Sequence, residues 1–149
     1  MIKLNYNPIT KESNFQEFKR KICNYALQHL PHIKEAIAAG RAKVFEAPPE
    51  PAANASAAIV SIYAQRMKEY SDELKEWKNS NRKFLGILLD NIPPRMVEKL
   101  ETNATYITAY GTNDGIAVWN LIVATIILTT TTIVNLTKSE FLIKFTKSN

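Results

Sequence analysis

Two histidines near the amino terminus are the side chains in this sequence best suited to hold a metal. His29 and His32 are three positions apart, a spacing that places two side chains on one face of a helix. Pro31 lies between them and interrupts such a face, and no cysteine or carboxylate is clearly paired with the two histidines. We therefore predict no metal site and interpret both histidines as ordinary surface or core residues.

The other reactive side chains form no catalytic arrangement. Cys23 is the single cysteine, so neither an internal disulfide nor a cysteine-based zinc site can form. Asp72, Glu73 and Glu76 lie among lysines, which is typical of a solvated helix face. The sequence holds neither a glycine-rich phosphate-binding motif nor a Gly-x-Ser-x-Gly elbow. We expect no catalytic residues, no cofactor and no enzymatic activity.

A regular stripe of large side chains runs through the middle of the chain. Its spacings alternate between three and four residues, the period of a helix with one continuous packing seam. Pro93-Pro94 ends the pattern because proline has no N–H and disfavours helical geometry in the residue before it. The pattern predicts a helix over residues 57–91, roughly 50 Å long. Its seam comprises Val60, Tyr63, Met67, Tyr70, Leu74, Trp77, Asn81, Phe84 and Leu88.

Shorter elements are predicted on both sides of this helix. Ser13 and Gln16 have the spacing of a capping box before a first helix that reaches His29, and a second helix, residues 32–39, should stop at Gly40. Residues 46–56 contain three prolines in four positions and read as an extended, mobile linker. Further elements are a short helix near residues 96–100, a loop over 102–115, and a helix capped by Asp114 that carries Trp119.

These elements predict one all-α domain over residues 1–149, a small helical bundle with one long central helix. The chain is long enough for a core, and its 46% apolar and 22% charged residues are ordinary for a globular protein. Trp77 and Trp119 are the expected core anchors. Four consecutive threonines follow Leu128, and the sequence of this carboxy-terminal segment is compatible with either a helix or a strand.

The order of residues around the two tryptophans resembles the Gag polyproteins of copia-type LTR retrotransposons. Trp77 is followed along its helix by Phe84, Ile87 and further aliphatic residues, and Asp114 to Ile122 resembles the family's later tryptophan-containing segment. The stretch from Phe15 to Leu30 resembles the family's first helix, with Phe18 where a tryptophan is more usual. A cysteine-rich zinc knuckle and a protease triplet, both family features, are missing.

The resemblance implies a structural, capsid-like protein that binds other copies of itself to form a homo-oligomer. Such a protein self-assembles in the cytoplasm into particles that pack RNA. The net charge of +5 favours only weak, sequence-independent RNA binding. Assembly would then use exposed helix faces, and the candidate surface is the basic run Lys19, Arg20 and Lys21. The start of the chain carries no secretory signal, which agrees with this location.

The alternative function is that of a small membrane-attached protein. The stretch over residues 116–136 has no charged residue and is long enough to span a bilayer of about 30 Å. Trp119 near one edge, and lysines beyond the other, fit anchoring at the membrane interfaces.

Overall fold

The computed structural model describes residues 12–126, with side chains from Phe15 onward. The described residues form six helices and contain no strand, so the prediction of an all-α bundle with one long central helix is confirmed. The helices are α1 (Glu12–His29), α2 (Ile33–Ala39), α3 (Ala57–Asn91), α4 (Pro94–Glu101), α5 (Ala104–Gly111) and α6 (residues 115–126). The threonine-rich segment lies outside the described residues.

Helix α3 has the predicted bounds because its ends are fixed by local chemistry. The Ser56 side chain accepts a hydrogen bond from the N–H of Ile59 at 3.3 Å and caps the amino end. Ile92 adopts an extended conformation before Pro93, which is where the helix stops. The helix stays continuous through Asn79-Ser80-Asn81 and is about 52 Å long.

Two of the shorter elements differ from the sequence predictions. Helix α1 begins at Glu12, so Ser13 lies inside the helix and not at its cap. Residues 102–115 were predicted as a loop but contain α5, whose amino end is capped by Asn103. The loop prediction rested on Gly111, Asn113 and Gly115, and the structure places these at or beyond the end of α5.

The core lies around the carboxyl half of α3. Helices α1, α2, α4, α5 and α6 surround this half, and we call the resulting assembly the helical body. Trp119 on α6 occupies its centre, with ring centroids 6.1 Å from those of Phe15, Phe18 and Phe84. The fully buried side chains of this core are Phe18, Ile22, Ile33, Phe84, Leu88, Ile116, Val118 and Ile122.

Asn81, the one polar residue in the seam of α3, joins the amino end of α6 to the central helix. Its amide donates to Asp114 Oδ1 at 3.3 Å, and its Oδ1 accepts from the N–H of Ile116 at 3.1 Å. The same Asp114 oxygen accepts from the N–H of Ala117 at 3.2 Å, so Asp114 caps α6 as predicted. Both polar groups of the buried asparagine are thus satisfied, since its Oδ1 accepts from one free N–H at the start of α6 and its amide donates to the carboxylate that caps this helix.

We expect Asn81→Ala to lower the free energy of unfolding by about 1–3 kcal/mol, because it leaves a buried N–H of α6 without its acceptor. Urea denaturation followed by circular dichroism measures the loss. Asn79→Ala is the matched control, since Asn79 lies two positions away on the exposed face, and it should change stability by less than about 0.5 kcal/mol. Equal effects of the two variants would contradict the role assigned to Asn81.

Candidate self-association surface

The amino-terminal half of α3 projects from the helical body, and we call residues 57–76 the open half. None of its residues is buried, whereas buried residues begin at Trp77 and continue to Asn91. A domain of this length has a radius of gyration of about 15 Å, so it cannot surround a helix of about 52 Å along its whole length. The open half is the part of the helix that the body does not reach.

The predicted packing seam is therefore divided at Trp77. Trp77, Phe84, Leu88 and Trp119 are buried in the core. Tyr63, Met67, Tyr70 and Leu74 are only half-buried, and Val60 is exposed, which corrects the prediction of one continuous buried seam. The outward-facing Lys68, Asp72 and Lys75 are exposed, as the helical period requires.

Apolar side chains are concentrated at the free end of the open half. Ile59 and Ile62 are 52% and 53% exposed, and Val60 is exposed by nearly as much. Single exposed apolar residues are normal on a protein surface, but here three lie within four positions and continue the half-buried seam. Because these side chains are already about half covered, a partner that covered the rest of each would contribute about 1 kcal/mol per residue. The open half therefore has the composition of a contact surface.

The proline-rich segment returns along the open half. The His32 ring lies 5.8 Å from the Phe45 ring, and its Nε2 lies 3.9 Å from Glu76 Oε2, so the segment starts beside the carboxyl end of the open half. It must reach Ser56 at the other end, about 28 Å away along the helix. An extended proline-rich chain rises about 3.1 Å per residue, so the segment spans this distance only if the residues before the turn at Ala52 are extended.

The pattern of exposed and half-buried residues in this segment is the one expected of an extended chain that lies along the surface of the open half. Phe45, Pro48 and Pro51 are half-buried at a spacing of three, the period of a polyproline helix, while the residues between them are exposed. A turn follows, in which the N–H of Ala55 donates to the carbonyl of Ala52 at 3.0 Å. The segment has no helix or strand, as predicted, yet one of its faces is partly covered.

The two histidines have separate surroundings. Lys43 Nζ lies 2.8 Å from His32 Nδ1, and because an ammonium only donates, Nδ1 is the acceptor and the ring proton lies on Nε2, toward Glu76. His29 packs on the ring of Tyr25, with centroids 4.6 Å apart. Among residues 12–126 no cluster of three histidine, cysteine or acidic side chains could hold a metal ion.

Cys23 lies half-buried on α1. Burial raises the pKa of the Cys23 thiol, and the positive charges of Lys19 and Lys34 lower it by less. The thiol is therefore protonated at neutral pH and lacks the thiolate that nucleophilic chemistry uses.

The basic run on α1 is a second candidate surface. Lys19 and Arg20 are exposed and Lys21 is half-buried, while Phe18 and Ile22 on the opposite side of the helix are buried in the core. Separately, Lys78 and Arg82 of α3 line an open polar groove of about 410 Å³ together with Asn113. No sequence motif marks this groove, because its walls come from two elements about 30 residues apart.

The candidate membrane span begins inside the core. Ile116, Val118 and Ile122 of α6 are fully buried, and the Asn120 amide donates to the Gly40 carbonyl at 2.9 Å. The remainder of the span, residues 127–136, lies outside the described residues. None of the helices in the described part of the chain is long and apolar enough to cross a membrane.

Comparison of the chain with protein families, with curated proteins and with solved structures gives no match.

Proposed function

We propose that this protein is a structural protein that acts by self-association, and that the open half of α3 is a contact between copies. The proposal depends on one observation, which is that the seam residues of α3 are buried only from Trp77 onward. A seam with this period is typical of a helix that packs against other helices. Its amino-terminal part is not buried within one copy. A second copy would cover the apolar side chains that one copy leaves exposed at the free end of this half, which are Ile59, Val60 and Ile62.

The proposal extends to a capsid-like, Gag-type role in which repeated weak contacts build particles around RNA. The support for this extension is the resemblance around Trp77 and Trp119 and the presence of two separated candidate surfaces on one small body. Repeated contacts of more than one kind are what allow assembly beyond a dimer. Lys19 and Arg20, and the groove with Lys78 and Arg82, offer exposed positive charge for sequence-independent contact with RNA phosphates.

Membrane attachment is the weaker candidate. The amino-terminal part of its span packs against Phe84 and the aromatic residues of α1 through Trp119. Inserting residues 116–126 into a bilayer would remove α6 from this core.

Sedimentation across a wide concentration range tests the proposal, with and without a non-specific RNA. We expect association that grows with concentration and is weakened by Met67→Glu, because this variant places a charge in the half-buried seam. Gln65→Glu adds the same charge on the outer face of the same helix and should leave association unchanged. The thermal transition of both variants should stay close to that of the wild type, since neither residue lies in the core.

Two outcomes would count against the proposal in different ways. A wild-type protein that stays monomeric at every concentration, alone and with RNA, would contradict self-association altogether. Association that Met67→Glu leaves intact would contradict the assignment to the open half. In that case Lys19→Glu and Arg20→Glu would show whether α1 is the contact instead.

A further inference from the structure

The half-buried residues of the proline-rich segment and those of the open half repeat over nearly the same distance. Along the segment, Phe45, Pro48 and Pro51 are three residues apart, which is about 9 Å in a polyproline helix. Along α3, Tyr63 and Tyr70 are seven residues apart, which is about 10 Å in an α-helix. The segment therefore offers one half-buried side chain for each heptad of the seam.

The contacts of His32 fix the start of the segment against α3. The His32 ring lies 5.8 Å from the Phe45 ring, and its Nε2 lies 3.9 Å from Glu76 Oε2. Lys43 Nζ lies 2.8 Å from His32 Nδ1 and 5.1 Å from the centre of the Phe45 ring. Phe45 is therefore held level with the carboxyl end of the open half.

The two prolines fall into register from that point. The chain runs from Glu76 toward the amino end of α3, and a step of about 9 Å in this direction passes about six helix residues. The first step brings Pro48 level with Tyr70. The second step brings Pro51 to within about one residue of Tyr63. Packing of proline rings on aromatic side chains is the usual contact between a polyproline helix and its binding surface.

The exposed fractions along α3 agree with cover over this part of the seam. Ile59 and Val60 lie beyond the point where the segment turns, and they are 52% and 48% exposed. Met67, which lies between the two tyrosines, is half-buried. Buried residues of α3 begin only at Trp77, about 15 Å further along the helix, so the proline-rich segment is what covers Met67.

We propose that the seam of the open half is a polyproline-binding surface and that the chain's own proline-rich segment occupies it. Pro48 lies on Tyr70, and Pro51 lies on Tyr63. In one respect this inference rests on the proposed self-association, because the segment covers part of the surface that a second copy would contact. The segment and a second copy then compete, and the segment limits association.

The segment can leave this surface while the helical body stays folded. Its two prolines on the seam are only half-buried. The ion pair between Lys43 and Glu35 at its start is 3.9 Å long, and its Glu35 side is exposed, so it contributes little. Segments with few buried contacts open locally at a small cost in free energy. Release of the segment would uncover the seam.

Oxidation of Met67 by hydrogen peroxide measures whether the seam is covered. At a concentration low enough to keep the protein monomeric, Pro48→Ala should raise the oxidation rate of Met67 about threefold or more, because the ring that packs on Tyr70 is lost. Pro49→Ala is the matched control, since Pro49 is exposed, and it should leave the rate unchanged. Met96 on α4 is also half-buried and serves as the internal reference in both variants.

Phe45→Ala is a second test, because it releases the segment at its start. It should speed the oxidation of Met67 as Pro48→Ala does. Val44→Ala is its control, since Val44 is the preceding residue and is 75% exposed, and it should have no effect. Thermal melting followed by circular dichroism checks that the helical body of every variant is folded.

Sedimentation equilibrium of the same variants tests the competition. The apparent affinity of a binding surface rises with the fraction of molecules in which that surface is free. Pro48→Ala and Phe45→Ala should therefore raise the association constant about threefold or more over the wild type. Pro49→Ala and Val44→Ala should leave it unchanged.

The outcomes separate this inference from the proposed function. If Pro48→Ala and Phe45→Ala oxidise at Met67 no faster than their controls, the segment does not occupy the seam, whether or not the wild type associates. Faster oxidation together with weaker association would make the segment part of the contact between copies and would overturn the competition. A wild type that is monomeric at every concentration overturns self-association and the competition, while the oxidation rates alone decide whether the segment occupies the seam.

Discussion

Trp119→Ala is expected to lower the free energy of unfolding by about 3–5 kcal/mol, the largest loss we predict for a single side chain. Trp119 is 3% exposed and contacts aromatic rings from two different helices. Its removal would leave a cavity between α1, α3 and α6 that the surrounding rings cannot close. A loss of this size is a large fraction of the 5–15 kcal/mol that holds a typical domain together.

Chemical denaturation of the full chain measures this effect, and Leu27→Ala is the control. Leu27 is a large apolar residue on α1, but it is 62% exposed, so its truncation should cost less than about 0.5 kcal/mol. A loss below about 1 kcal/mol for Trp119→Ala would mean that α6 does not pack in the core as described. Trp77→Ala should lose a similar amount to Trp119→Ala, whereas Leu74→Ala, three positions earlier on the same seam, should lose much less.

Gly115→Ala is expected to destabilise the protein by about 1–3 kcal/mol although it adds a single methyl group. A Cβ at this position would lie 2.7 Å from the backbone oxygen of Asn81 and 2.8 Å from the backbone nitrogen of Leu85. Both atoms belong to the backbone of α3, so relief requires α6 to move away from the central helix. Such a movement would also stretch the hydrogen bonds that Asn81 makes to Asp114 and to Ile116.

Gly86→Ala is the matched control for this prediction. Gly86 lies within α3, five residues before its end at Asn91, and a Cβ there would meet nothing within 4 Å. Alanine is the better helix former, so this variant should gain about 0.5–1 kcal/mol. Denaturation midpoints that move in opposite directions for the two variants are the expected result. Stabilisation by both would contradict the close approach of α6 to α3.

The sequence by itself determined the local elements of this protein. The carboxyl end of α3 follows from Pro93-Pro94, and the start of α6 follows from Asp114, because these signals act over a few residues. Helix α5 does not follow from the sequence in this way, because Gly111 and Asn113, which lie at and beyond its end, are residues that also favour a loop. The core position of Trp119 also follows from its apolar surroundings in the sequence.

Only the tertiary structure decided which part of the seam is buried. The spacing from Val60 to Leu88 is uniform, so it carries no mark at Trp77, where burial begins. Asn81 looks like an interruption of the seam in sequence, and it acts as the acceptor for α6 only because residue 116 folds back onto it. Gly115 likewise reads as a loop glycine until the backbone of α3 is seen beside it. The local pattern sets which face of a helix is apolar, but what covers that face depends on contacts between residues far apart in the chain.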